Sequence, residues 1–235
     1  MPEKDFKELQ QNLKIKFKSG DLLRQAFVHR SYLNENPGFG LGHNERLEFI
    51  GDAVLELGVT EYLYGNYPDL AEGEMTNLRA ALVRAETLSM IADRLDFNKY
   101  LYLSKGEAKE IGRGRQYILA NTFEAFTGAL HLDRGYKTAT DFILENLIPE
   151  LKNIIEKKLW RDAKSLFQEA AQERVGITPT YEVISESGPD HAKKFVVGVQ
   201  LGKELVAKGE GSSKNEAQQR AAENALGVKH WGHAR

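Results

Sequence analysis

Through the first 150 positions apolar residues recur at helical spacing, and no long apolar/polar alternation interrupts them. Two stretches, 43–57 and 118–130, are apolar helical runs with sparse polar positions, and 80–88 continues another. Beyond about residue 178 the period changes. Thr180 to Ser187 reads as a strand, Phe195, Val197, Val199 and Leu201 alternate in a second, and Glu204 to Lys208 forms a third after a Gly202-Lys203 turn. A helix over 162–173 precedes them, with Asp162 as its N-cap and Leu166, Phe167, Ala170 and Ala171 on its apolar side. Ser213 and Glu216 have capping-box spacing and open a last helix with Ala221, Ala222, Ala225 and Leu226 facing inward. The pattern predicts an all-α domain over 1–156, a short linker over 157–161, a small α+β domain of order α-β-β-β-α over 162–228, and a tail over 229–235.

Composition adds little until it is divided. The chain has 235 residues, 41% hydrophobic and 28% charged, enough to bury a core. A net charge of −2 argues at face value against a nucleic-acid binder. That average joins two unlike parts. Residues 1–150 hold 18 basic and 23 acidic side chains, a net of −5, whereas residues 151–235 hold 14 and 11, a net of +3. The absence of cysteine excludes disulfides, thiol catalysis and cysteine-based zinc sites. No apolar run reaches the ~18 residues of a membrane span. The opening Met1-Pro2-Glu3-Lys4-Asp5 does not resemble a signal peptide, so a soluble cytoplasmic protein is expected.

The stretch with most chemistry is His43-Asn44-Glu45-Arg46-Leu47-Glu48-Phe49-Ile50-Gly51-Asp52-Ala53-Val54-Leu55-Glu56-Leu57. Glu45, Glu48, Asp52 and Glu56 form one narrow seam at ~100° per residue. Leu47, Phe49, Ile50, Ala53, Val54 and Leu57 take much of the remaining circumference, so the helix should be largely buried. Aligned like charges repel, and a divalent cation would compensate them. On the second apolar run Asn121 and Glu124 share a face. Packed antiparallel to the first helix, they would complete an all-oxygen site with Glu48 and Asp52. Such a donor set suits Mg²⁺, with Mn²⁺ as a substitute, and a phosphodiesterase.

The run from Asn44 to Leu55 resembles the signature of the ribonuclease III family. Ala26-Phe27-Val28-His29-Arg30-Ser31-Tyr32 and Glu72-Gly73-Glu74-Met75-Thr76-Asn77-Leu78-Arg79-Ala80 are similar to that family too. The resemblance implies an Mg²⁺-dependent double-stranded-RNA endonuclease that works as a homodimer. Each protomer would cut one strand, leaving 5′-phosphates, 3′-hydroxyls and short 3′ overhangs. Ribosomal-RNA precursors and structured messages would be the substrates. By position, the catalytic and metal-binding carboxylates fall on Glu48, Asp52 and Glu124, with Glu45 in an outer shell. Phe49 matches either an aromatic knob inserted into the partner protomer or an ordinary core residue. Where the family usually has Asp, this chain has Asn121, whose amide oxygen can ligate a hard cation but brings no charge. A raised Mg²⁺ requirement is expected. The competing reading is a catalytically impaired double-stranded-RNA-binding protein.

The second domain resembles the double-stranded-RNA-binding domain. By that resemblance Gln168 and Gln172 would meet a minor groove, and His191, in the loop Gly188-Pro189-Asp190-His191, the next one. Lys214 at the positive end of the last helix would meet phosphates. Asn215 replaces a lysine common in the family, and Lys193, Lys194 and Arg220 are candidates to compensate. Other features stay secondary. Arg79 and Arg84 read as phosphate contacts or surface charges, and Gly112-Arg113-Gly114-Arg115 as a flexible basic loop. His29 and His131 read as structural, and the tail as a weak His-x-x-His metal contact or a disordered end.

Overall fold

The computed structural model describes residues 4–156, 163–189 and 193–231, so the expected linker, the Asp162 cap and His191 lie outside the described residues. Contacts divide the chain into two compact units, Met1–Trp160 and Arg161–Arg235.

The first unit is helical: α1 (Phe6–Asn12), α2 (Gly20–Ala26), α3 (Arg30–Glu35), α4 (Glu45–Asn66), α5 (Glu72–Val83), α6 (Ala85–Arg94), α7 (Arg113–Arg134) and α8 (Tyr136–Glu156). Short 3₁₀ turns lie at Phe97–Tyr100 and Glu107–Lys109, and one isolated bridge joins Val28 to Tyr102. An aromatic chain forms the centre. Phe97 meets Phe27 at 5.1 Å and Phe126 at 5.0 Å, and Phe126 meets Phe142 at 5.0 Å between ring centroids. These fully or nearly fully buried rings turn one face of α7 inward and lock its rotation.

Helices α4 and α7 touch backbone to backbone. A Cβ placed on Gly51 would stand 1.8 Å from the Glu124 carbonyl oxygen, and one on Gly128 would stand 2.1 Å from the Leu47 carbonyl oxygen. Because 51 faces 124 while 128 faces 47, the helices run antiparallel at this crossing. The entry to α4 is equally fixed. Buried Asn44 donates its side-chain amide to the Ala26 carbonyl at 3.1 Å, and its backbone N–H to Val28 at 2.9 Å. Its own carbonyl then accepts from Leu47 and Glu48, starting the helix.

Two local expectations fail here. The helix expected across 80–88 breaks at Arg84, whose extended backbone (ψ 152°) ends α5 and starts α6. The Thr87 hydroxyl donates to the Ala81 carbonyl at 2.9 Å and seals the break. The basic segment at 112–115 is not a flexible loop. Gly112, at φ +75°, caps α7, and Arg113 to Arg115 form its first turn.

The second unit is α9 (Ala163–Val175), β1 (Thr180–Ser187), β2 (Lys194–Leu201), β3 (Glu204–Gly211) and α10 (Lys214–Val228), the order α-β-β-β-α. The sheet is antiparallel, β1-β2-β3, with the Gly202 turn at φ +60° between β2 and β3. Phe167, Val197, Val199, Ala217, Ala221 and Ala225 are wholly buried between sheet and helices. Strand β3 extends three residues past the expected Lys208, because Gly209 and Gly211 pair with Val197 and Phe195. Those glycines also let α10 lie against the sheet. A Cβ on Gly209 would stand 2.1 Å from the Ala221 nitrogen. Ser213 caps α10 by accepting from the Glu216 N–H at 3.2 Å, while the Glu216 carboxylate accepts from Ser212, one residue before the expected partner. Of the tail, Lys229 to Trp231 are described, and Trp231 stacks on Phe167 at 5.6 Å; the remaining tail residues lie outside the described ones.

Candidate metal centre and RNA interface

The glycine crossing decides which seam residues can cooperate. Glu48 and Asp52 flank Gly51 within one turn on α4, and Asn121 and Glu124 approach from α7. The Asn121 amide donates to the Glu48 carboxylate. Burial raises the Glu48 carboxyl above the ordinary carboxylate range; Glu45 and Asp52 add to the rise and the Asn121 bond opposes it. Glu124 is pushed up to about 8, first by burial and then by the charges of Asp52 and Glu48. Glu124 thus feels the charges of both Asp52 and Glu48, and Glu48 that of Asp52.

The outer two seam carboxylates are engaged elsewhere. Glu45 is exposed and faces Arg30 at 3.5 Å and His43 at 3.7 Å. Glu56 pairs with Arg79 of α5 at 2.8 Å. Arg79 is thus committed within the chain rather than offered to phosphate, and Arg84 donates to the Thr87 hydroxyl at 3.4 Å. Arg115 likewise donates to the carbonyls of Glu107, Ala108 and Glu110, bracing the 3₁₀ turn before α7. His29 caps α3 by accepting from the Ser31 N–H, and burial lowers its pKa. His131 stands edge-on to Tyr136.

The four residues Glu48, Asp52, Asn121 and Glu124 offer only oxygen donors to a cation. Among the described residues no three acidic or histidine side chains already enclose a common point. The chemistry nevertheless fits a hard divalent ion. Burial, with the charges of Asp52 and Glu48 added to it, pushes the Glu124 carboxyl up to about 8, and a cation would offset both.

Contrary to the expectation of a largely buried helix, α4 leaves an apolar stripe uncovered. Phe49 is 83% exposed, Ala53 is exposed, Leu57 is 50% exposed and Tyr64 is 76% exposed. Phe49 is therefore not a core residue of its own unit. The burial pattern that sequence reasoning assigned to α4 belongs to its other side, where Leu47, Val54, Leu55, Val59 and Leu63 enter the core.

In the second unit Gln168 and Gln172 stand exposed on one face of α9, and the Gln172 amide donates to the Thr178 hydroxyl. Lys214 opens α10 with its ammonium 5.8 Å from the Phe195 ring centre. Of the compensating cations, Lys193 pairs with Glu186 at 2.6 Å and Arg220 with Glu216 at 2.8 Å. Gly51, Gly128 and Asn44 were not singled out as positioning residues by sequence reasoning. The small-residue positions on two apolar helices were the available signal for the glycines.

Comparison with known proteins agrees with both units. Residues 19–151 match the ribonuclease-III-like family and residues 163–228 the double-stranded RNA binding motif. Ribonuclease 3 of Oceanobacillus iheyensis is 46% identical over 222 residues, covering 94% of this chain and 97% of that protein. Ribonuclease 3 of Streptococcus mutans is 44% identical over 220 residues, 94% of this chain and 95% of that one. A solved nuclease domain of ribonuclease III from Campylobacter jejuni, in work on the region involved in its dimer formation, superposes with a TM-score of 0.55. It is 36% identical and covers 61% of this chain and 99% of that one. With a helical unit that crosses two carboxylate-bearing helices and an α-β-β-β-α unit later in the sequence, the chain belongs to the ribonuclease III family.

Proposed function

We propose that this chain is an endoribonuclease that hydrolyses double-stranded RNA, leaving 5′-phosphate and 3′-hydroxyl ends with short 3′ overhangs. The observation that carries the reading is the interaction across the α4–α7 crossing, where Asn121 is bonded to Glu48 and Glu124, pushed up to about 8, feels the charges of Asp52 and Glu48. These residues would hold Mg²⁺, or Mn²⁺ in its place. Such an ion, when bound, supplies positive charge to the phosphodiester and acidity to water. Glu124 and Glu48, whose carboxyls are raised above the ordinary range, would have to be ionised to hold the cation. Asn121, whose N–H donates to Glu48, would offer its amide oxygen, and Glu45 would stay in an outer shell.

The second unit supplies affinity for duplex shape through Gln168, Gln172, Lys214 and His191. The exposed α4 stripe led by Phe49 supports a homodimer, since an apolar ridge of this kind on a folded unit marks an association surface. Ribosomal-RNA precursors and messages in the cytoplasm are the proposed substrates. The competing reading, a binder with a retired site, is disfavoured because the mutually repelling carboxylates are kept where they cost stability. Long duplex RNA incubated with the chain in Mg²⁺, or in chelator, tests the proposal. Cleavage to 5′-phosphorylated duplexes only with the ion supports it, and binding without cleavage in both arms refutes it.

A further inference from the structure

The seam on α4 carries one more carboxylate than the site uses. Glu56 follows Asp52 by four residues, so the two side chains rise from adjacent turns of one face. An unpaired carboxylate there would add to the repulsion at Asp52 and offer a second set of oxygens to any divalent ion. Instead the Arg79 guanidinium takes it. The Arg79 Nε lies 2.8 Å from Glu56 Oε2, and its Nη1 donates to the Thr60 hydroxyl at 2.9 Å. That hydroxyl donates in turn to the Glu56 carbonyl at 2.7 Å. Two contacts on a planar fork fix the direction of Arg79, and both belong to the same turn of α4. The pair is only partly exposed, 33% and 40% at the side chains, so solvent screens it less than a surface pair.

We propose that Arg79 is a positioning residue for the carboxylate site: it clamps Glu56 against Thr60 and so keeps a fourth seam carboxylate from competing with Asp52 for the cation. The clamp rests on the site reading given above and acts through Glu56, without contact to the reacting groups. At the opposite end Arg30 and His43 face Glu45 more loosely, at 3.5 and 3.7 Å. The usable part of the seam is thereby confined to Glu48 and Asp52.

Calorimetric titration of the full chain with MnCl₂ alone, without RNA, tests this. Arg79→Met is expected to take up more Mn²⁺ per chain than the parent, because the freed Glu56 makes a further binding position beside Asp52. The double variant Arg79→Met/Glu56→Gln is expected to return to the parental stoichiometry and midpoint. A parental titration in Arg79→Met would overturn the clamp. Severalfold weaker binding in the double variant would also overturn it, since Glu56 would then be a ligand. Should Arg79→Met fail to fold, Arg79→Lys, which keeps the charge but has no fork to hold both Glu56 and Thr60, takes its place: extra Mn²⁺ uptake supports the clamp and a parental titration overturns it. Glu124→Gln serves as the control for the underlying site. Parental Mn²⁺ binding in that variant would refute the carboxylate site itself, whereas loss of binding there leaves the clamp to be judged on the other two.

Discussion

Gly51 and Gly128 lie so close that a Cβ built on Gly128 would stand 3.0 Å from the Gly51 nitrogen, and one on Gly51 2.9 Å from the Gly128 nitrogen. The pair acts as the pivot of the candidate site, because Asp52 follows one glycine directly and Glu124 lies one turn before the other. Any side chain at either position drives the two helices apart. Gly51→Ala and Gly128→Ala are each expected to destabilise the first unit by about 3 kcal/mol or more, beyond the usual cost of overpacking. Urea unfolding of each variant gives the value, and a loss below about 1 kcal/mol would show that the crossing yields easily.

Glu124 gives the fold a pH dependence with a definite sign. Its folded-state pKa is raised to about 8 from 4.5, so its contribution is intact below about pH 4.5 and is lost as pH rises through about 8. In chelator, Glu124→Gln should therefore gain stability over the parent as pH climbs across that window, by about 1–3 kcal/mol after screening. Thermal unfolding from pH 4.5 to 8.5 measures the difference. The same substitution should abolish cleavage while leaving duplex binding in place.

Asn121 donates to Glu48 where a charged ligand would repel it. Asn121→Asp is expected to lower the Mg²⁺ concentration needed for half-maximal cleavage, since each added carboxylate raises cation affinity. Identical titration curves for parent and variant would remove the argument.

The ammonium of Lys214 stands at the positive end of α10 beside the Phe195 ring. Lys214→Ala should weaken duplex-RNA binding and reduce the log–log salt slope by about 1, the signature of one lost phosphate contact. Binding measured across a salt series distinguishes this from a purely structural change, which would leave the slope as it was.

Phe49 projects from a ridge that its own unit does not cover. Phe49→Asp should shift the chain toward monomer in sedimentation velocity, with protomer stability nearly unchanged because the ring is 83% exposed. An unaltered sedimentation profile would remove this ridge as a subunit contact.

Much of the local structure was legible from periodicity. The strands and the capped last helix follow from alternation, turn glycines and the Ser213–Glu216 spacing, all interactions within a few residues. The errors came where a side chain bonds to main chain that periodicity does not register. Arg84 breaks a helix that propensity would continue, because the Thr87 hydroxyl reaches back to Ala81. The basic segment at 112–115 becomes helix because Arg115 can satisfy three carbonyls of the preceding turn.

From the order of residues alone it followed that Glu45, Glu48, Asp52 and Glu56 share one face of a helix, and Asn121 and Glu124 one face of another, since helical pitch determines both. Which members of the two faces meet was a matter of tertiary packing. The buried aromatic chain sets the rotation of α7, the two glycines set its distance from α4, and Arg79 withdraws Glu56. Periodicity describes a face but not what lies against it. Hence the seam could be read along the chain, while its division into a pair beside Asn121 and Glu124 and two side chains paired elsewhere could not.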